Sequence, residues 1–184
     1  MGGGISNAGS IIFNEKAYFI GNRISGGNSS GGAAIYNEAS EPLTAKIIFS
    51  NDALFQNNFV EGRNSRGVGG AISNTNGIII FEGNADFVNN TAIGWDGDGL
   101  GSAIMTAGSV VFKKKASFLN NITKGTALSH GALELKKATA LVTFENGFHF
   151  EGSKAITMTI EEDGTVVIAG NANIQEGENL ITII

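Results

Sequence analysis

One unit of 12 residues recurs six times along this chain: "IIFNEKAYFIGN" (11–22), "IIFSNDALFQNN" (47–58), "IIFEGNADFVNN" (79–90), "VVFKKKASFLNN" (110–121), "VTFENGFHFEGS" (142–153) and "VVIAGNANIQEG" (166–177). Two apolar residues lead, then an apolar residue that is usually Phe, then three polar or small ones. Ala (once Phe148) follows, then any residue, Phe or Ile, two more residues and usually Asn. Phe13, Phe49, Phe81, Phe112 and Phe144 form one column, continued by Ile168. Phe19, Phe55, Phe87, Phe118 and Phe150 form the other, continued by Ile174. Self-similarity at this spacing marks a solenoid, in which each repeat buries its apolar side only against its neighbours.

A shorter element precedes most units: "GGGI" (2–5), "GGAAI" (31–35), "GGAI" (69–72), "GSAI" (101–104) and "GALEL" (131–135). It supplies a third short strand per repeat. Three strands separated by Gly, Asn and Ser turns describe one coil of a single-stranded parallel β-helix, in an all-β chain forming one domain over residues 1–184. Each strand pairs with its equivalents about 4.8 Å above and below, so about six coils reach roughly 29 Å. The competing architecture, an antiparallel sandwich, needs hairpins and gives no reason for identical internal spacing.

This architecture explains a composition of 27 Gly and a single Pro, because every corner bends the chain into conformations that Gly and Asn tolerate. Asn22, Asn58, Asn90 and Asn121 share one corner and are placed to hydrogen-bond one another up the stack. The Phe columns are expected to stack inside. Ala17, Ala53, Ala85 and Ala116 fit where the chain turns inward between two Phe rungs, and Phe148 should distort the fifth coil.

A net charge of −5 disfavours nucleic acid and anionic lipid as partners. The absence of Cys removes disulfides, thiolate catalysis and Cys-based zinc. No apolar run reaches the length of a membrane-spanning helix, and "MGGGISNAGS" (1–10) is not a signal peptide. With strand-like sequence at both ends, "GGGI" and "LITII", the coil edges invite end-to-end or lateral assembly unless covered.

Acid–base chemistry on such a rod needs carboxylates clustered on adjacent coils. The outward positions flanking the second Phe column read Tyr18, Leu54, Asp86, Ser117, His149, Asn173 on one side and Ile20, Gln56, Val88, Leu119, Glu151, Gln175 on the other. Only Asp86, His149 and Glu151 qualify. Asp86 stands two coils from the other two, which read as a surface pair. No catalytic, metal or cofactor residue is assigned. "WDGDG" (95–99) lacks the further acids of a calcium loop and reads as an insertion between coils, with Trp95 exposed for contact. Lys113–Lys115 share a corner with Glu82 and Glu145, which suggests a charge ladder; Lys136 and Lys137 read as solvated. If strands alternate, Ile12, Ile48, Ile80, Val111, Thr143 and Val167 point outward, joined by Ile20, Val88 and Leu119 on the next sheet. Such aliphatic columns suit β-strands anyway, but a contiguous apolar surface also marks docking sites. An ice-binding array would need ranks of Thr, and only Thr143 stands there.

The pairing of Gly69–Ile72 with Phe87–Asn90, and of Gly31–Ile35 with Phe55–Asn58, resembles the polymorphic membrane protein family of chlamydiae. Phe19–Asn22 and Phe118–Asn121 carry the second motif with looser partners at Gly2–Ile5 and Gly101–Ile104, so the likeness covers roughly residues 2–130. It implies a right-handed β-helix exposed at the cell surface or secreted, serving as an autotransporter adhesin passenger. The expected function is therefore non-enzymatic: a rigid surface that binds one or more proteins through the aliphatic columns and Trp95. The alternative is a scaffold or linker subunit of an intracellular or organellar assembly, docked by its aliphatic face and ends. A carbohydrate-active enzyme is third.

Overall fold

Short β-branched and aromatic runs closed by Gly or Asn can only be strands, and here each pairs with its own counterpart one repeat away. The computed structural model describes residues 3–26, 30–41, 44–126 and 130–152, and beyond them the strands Ile156–Met158, Thr165–Ile168, Ala172–Ile174 and Ile181–Ile183. No helix occurs among the described residues, so none is long and apolar enough to cross a membrane. Every strand pairing among the described residues is parallel, which rules out the antiparallel sandwich. The protein is a parallel β-solenoid.

Sheet A gathers the short elements that precede the units: Ile5–Asn7, Ile35–Glu38, Ile72–Thr75, Ile104–Thr106 and Leu133–Leu135, then Ile156–Met158 and Ile181–Ile183. Sheet B holds the first half of each unit, Ser10–Phe13, Lys46–Phe49, Ile78–Phe81, Ser109–Phe112, Leu141–Phe144 and Thr165–Ile168. Sheet C holds the second, Ala17–Ile20, Ala53–Gln56, Ala85–Val88, Ala116–Leu119, Phe148–Glu151 and Ala172–Ile174. These are the three expected strands per coil.

The structure adds a fourth wall and a strip. After the Asn corner, Arg23–Gly26, Phe59–Gly62, Thr91–Gly94 and Ile122–Lys124 form sheet D. The two-residue strands Ser30–Gly31, Gly67–Val68 and Gly99–Leu100 form strip E. The sheet D strands share no motif beyond a closing Gly in the first three, but each turns a small or β-branched side chain inward, with Val60, Ala92 and Thr123 buried. The three-strand coil is corrected accordingly, and so is the count of about six coils. The circuit through sheets A to D is complete for four turns. Only residues 152–155 separate the fifth sheet C strand from the next strand of sheet A, where residues 89–103 do so earlier, so the fifth circuit is a shorter one.

Inside, the repeat becomes two columns of rings. Phe13, Phe49, Phe81, Phe112 and Phe144 stack at 4.8–5.0 Å with planes within 4–6° of parallel. Phe19, Phe55, Phe87, Phe118 and Phe150 stack at 4.4–5.0 Å and 3–8°. Between columns the rings meet edge to face at 5.7–6.4 Å and 81–89°. Centroid spacing follows the strand spacing and exceeds ring thickness, so the rings are slipped, the arrangement their quadrupoles favour at about 0.5–1.5 kcal/mol per pair beyond burial. Ile168 and Ile174 continue both columns in register. Ala53, Ala85 and Ala116 are buried in one file, and Phe148, next in it, tilts onto Phe144 at 4.7 Å.

The Asn corner also stacks. Nδ2 of Asn22 donates to Oδ1 of Asn58, Asn58 to Asn90, and Asn90 to Asn121, each at 2.9 Å. The same oxygens accept the backbone N–H of the coil before, and the remaining Nδ2 hydrogens reach the carbonyls of Phe19, Phe55 and Phe87. These buried amides are therefore satisfied. The bend falls one residue earlier, where Asn57, Asn89 and Asn120 hold φ of 56°, 55° and 53° and Gly21 takes the same place in the first coil. Gly69 is needed for a related reason. Its φ is +61°, and a Cβ there would collide with the carbonyl of Ile72. It folds strip E back over sheet A, so that Ser73, Met105 and Glu134 are buried on the side of sheet A that faces away from the Phe columns.

Candidate binding faces

Strict alternation turns the middle residue of each sheet B strand outward. Ile12, Ile48, Ile80, Val111 and Thr143 stand in register as one column. Ile12 is 56% exposed, and the next four are half-buried because each shields its neighbour. Val167 continues the register, but its side chain lies outside the described residues. The second outward column of this sheet, Ser10, Lys46, Ile78, Ser109 and Leu141, adds two further aliphatic positions. On sheet C, Ile20 (54% exposed), Val88 and Leu119 also face out. Gln56 interrupts them, and the column of Tyr18, Leu54, Asp86, Ser117 and His149 separates them from the sheet B column. The aliphatic residues therefore form one continuous column on sheet B and a broken one on sheet C.

Sheet C carries Asp86 and Glu151, with Asp52 at the corner that leads into it. A groove of about 180 Å³ lies among Lys16, Tyr18, Asp52, Leu54 and Asp86. Nζ of Lys16 is 3.1 Å from Asp52, whose carboxyl is held below the usual range first by that hydrogen bond and then by the backbone N–H of Asn84. His149 and Glu151 pair at 3.0 Å across one strand, and Asp86 stands two strands away. Asn173 continues the register, and Gln175 lies outside the described residues. At the corner, Lys113 pairs with Glu82 at 3.0 Å, whereas exposed Glu145 makes no ion pair among the described residues, so the charge ladder has one rung. Lys137 donates to Oδ1 of Asn76, and Lys136 reaches the buried Glu134 at 4.0 Å, so neither is merely solvated. Among the described residues no three His, Asp or Glu are placed to hold a metal.

Sheet D was not anticipated, and its outward side holds a polar cluster built from three coils. Glu61 accepts from the Ser25 hydroxyl at 2.6 Å and from Nε1 of Trp95 at 2.8 Å. Arg63 and Arg23 stand at 3.7 and 3.8 Å. The Ser25 and Trp95 hydrogen bonds, then the two guanidinium charges, hold the Glu61 carboxyl below its usual range. The Arg23 guanidinium lies 4.0 Å over the Phe59 ring, a cation–π contact. Trp95 is 59% exposed, as anticipated, but "WDGDG" is no insertion. Gly62 pairs with Gly94 and Gly67 with Gly99, so the loop that starts at Trp95 is the same turn that Arg63 to Arg66 makes one coil below.

Two further arrangements lie outside the repeat unit. Asn7, Asn37, Asn74 and Thr106 form a second ladder at the corner between sheets A and B, with Nδ2 donating upward at 2.8, 2.8 and 3.0 Å. The recurring "ISN", "IYN" and "ISN" of sheet A was its signal. Below strip E, Nδ1 of buried His130 meets Oε2 of Glu134 at 3.1 Å, and Nε2 stands 3.9 Å from Asp98. No family model, curated protein or solved structure matches this chain significantly.

Proposed function

We propose that this β-solenoid is a non-enzymatic binding module, a passenger segment of the adhesin type displayed at the cell surface or secreted, and that it grips another protein through sheet B. What supports the reading is the in-register column Ile12, Ile48, Ile80 and Val111. Its apolar surface runs uninterrupted across four coils, held in register by the stacked strands. A partner chain laid along it buries aliphatic surface at about 25 cal/mol per Å² and orders no part of the rod, so little binding energy is lost to folding. The carboxylates of sheet C support contact more than catalysis, since Asp52 is neutralised by Lys16 and Asp86 has no second carboxylate beside it in its column. The experiment is saturable binding of the labelled protein to epithelial cells, alongside the double variant Ile48→Asp, Ile80→Asp. Loss of binding in a variant that keeps its circular dichroism and cooperative melting is the expected result, and undiminished binding overturns the proposal. Binding confined to one stoichiometric partner in the protein's own compartment replaces the adhesin reading with that of a scaffold subunit. Release of sugar products from uronate polymers, abolished by Glu151→Gln, replaces both with an enzyme.

A further inference from the structure

The chain has three arginines, Arg23, Arg63 and Arg66, and all lie on sheet D or the turn that follows it. A protein of net charge −5 thus gathers every guanidinium group around its single Trp. Arg63 and Trp95 each follow the last residue of a paired strand, so they occupy equivalent positions one coil apart, about 4.8 Å along the rod. Arg66 packs against Gly97 in the turn of Trp95. Lys124 adds a fourth cation, in register with Ile93 on the same sheet.

Glu61 makes this cluster a fixed one. Its hydrogen bond from Nε1 pins one edge of the indole while the ring stays 59% exposed, so the aromatic surface is held in place before any ligand arrives. The arginines are not consumed by that carboxylate. Arg23 and Arg63 approach it only to 3.8 and 3.7 Å and keep side-chain exposures of 62% and 68%. No guanidinium N–H of the three donates a hydrogen bond among the described residues, and each retains its planar fork. Of the other acids nearby, Asp98 is turned toward His130, and Asp96 is exposed in the same turn and opposes an anion.

From this juxtaposition we infer that the Trp95–Arg63–Arg66 face of sheet D binds an acidic polysaccharide, one carrying sulfate or carboxylate on its sugar rings. The apolar C–H side of a pyranose lies on the indole, and its anionic substituent enters an Arg fork as a bidentate pair. A nucleic acid fits less well, because its unbroken row of phosphates runs on past this cluster and meets the negative remainder of the rod. The site does not depend on the sheet B column, and the two fail separately.

The test is titration of the intact protein with a sulfated heparin-type hexasaccharide and with an unsulfated uronate hexasaccharide, followed by Trp95 fluorescence and calorimetry. Cellohexaose and hexa-aspartate serve as the neutral and non-sugar controls. Saturable binding of an acidic hexasaccharide with a change in emission is expected, weakened at least about tenfold by Arg63→Ser with Arg66→Ser and by Trp95→Ala, and unchanged by Ile80→Asp. Binding of the sulfated probe alone assigns sulfate as the recognised group, and binding of both assigns the carboxylate as sufficient. Trp95→Phe, which keeps a ring but loses the bond to Glu61, gives an intermediate loss and serves should Trp95→Ala fail to fold. Absence of saturable binding, equal binding of cellohexaose or hexa-aspartate, or variants as tight as the parent overturns the proposal.

Discussion

The inward and outward columns of sheet C run over the same strands and obey opposite rules. Phe55, Phe87 and Phe118 follow one another up the interior, whereas the outward positions on those strands and their neighbours read Tyr18, Leu54, Asp86, Ser117 and His149, no two alike. A stacked ring wants a ring of equal size above it, and an Asn amide is its own complement, so identity is the cheapest way to fill an enclosed column. An outward residue needs only to tolerate a strand. The repeat therefore describes what holds the rod together and also its aliphatic outer column on sheet B, while the outward chemistry of sheets C and D lies where the repeat fails.

Breaking the interior should cost most. Phe81→Ala removes a ring stacked on both sides and should destabilise the protein by about 3–5 kcal/mol in denaturant unfolding; a cost below about 1 kcal/mol would show that the columns are not the main source of stability. Next comes Asn58→Ala, which leaves the backbone and Nδ2 N–H groups of Asn22 without their acceptor and the Phe19 carbonyl without its Nδ2 donor, while the amide oxygen of Asn90 keeps only the backbone N–H of residue 58. About 1–3 kcal/mol is expected for each buried group so orphaned, with hydrogen exchange accelerating at that corner in both adjoining coils.

The outer surface should respond locally. The Glu61 carboxyl is held below its ordinary value, so its contribution is complete above the normal carboxylate range and disappears as pH falls through the lowered value. Acid should therefore release the indole, and the emission of the single Trp should titrate below the normal Glu range, in a step absent from Glu61→Gln. The smallest effect on stability belongs to Ile80→Asp on the half-buried outward column, about 1–2 kcal/mol from lost strand propensity and cross-strand contact. A loss as large as that of Phe81→Ala would erase the distinction between the two sets of columns.

Legibility in the sequence followed the same division. Sheets B and C, the Phe columns and the first Asn corner were readable because one residue type recurs at constant offsets. Sheet D was not, since "RISG", "FVEG", "TAIG" and "ITK" have only inward size in common, with a closing Gly in the first three. The second ladder was hidden because it falls outside the unit and substitutes Thr106 for Asn. Trp95 was visible as an exposed aromatic, but its bond to Glu61 was not, because the two residues belong to different coils and share no motif. The turn was misread as an insertion because "WDGD" and "RNSR" differ in chemistry while matching in length.

Both Asn ladders point the same way, each Nδ2 donating toward the following coil. Side-chain amide dipoles stacked head to tail add instead of cancelling, and neighbouring bonds polarise one another. The rod consequently carries two parallel filaments of aligned dipoles along its length, which give it an electrical direction that its backbone sheets alone would not supply.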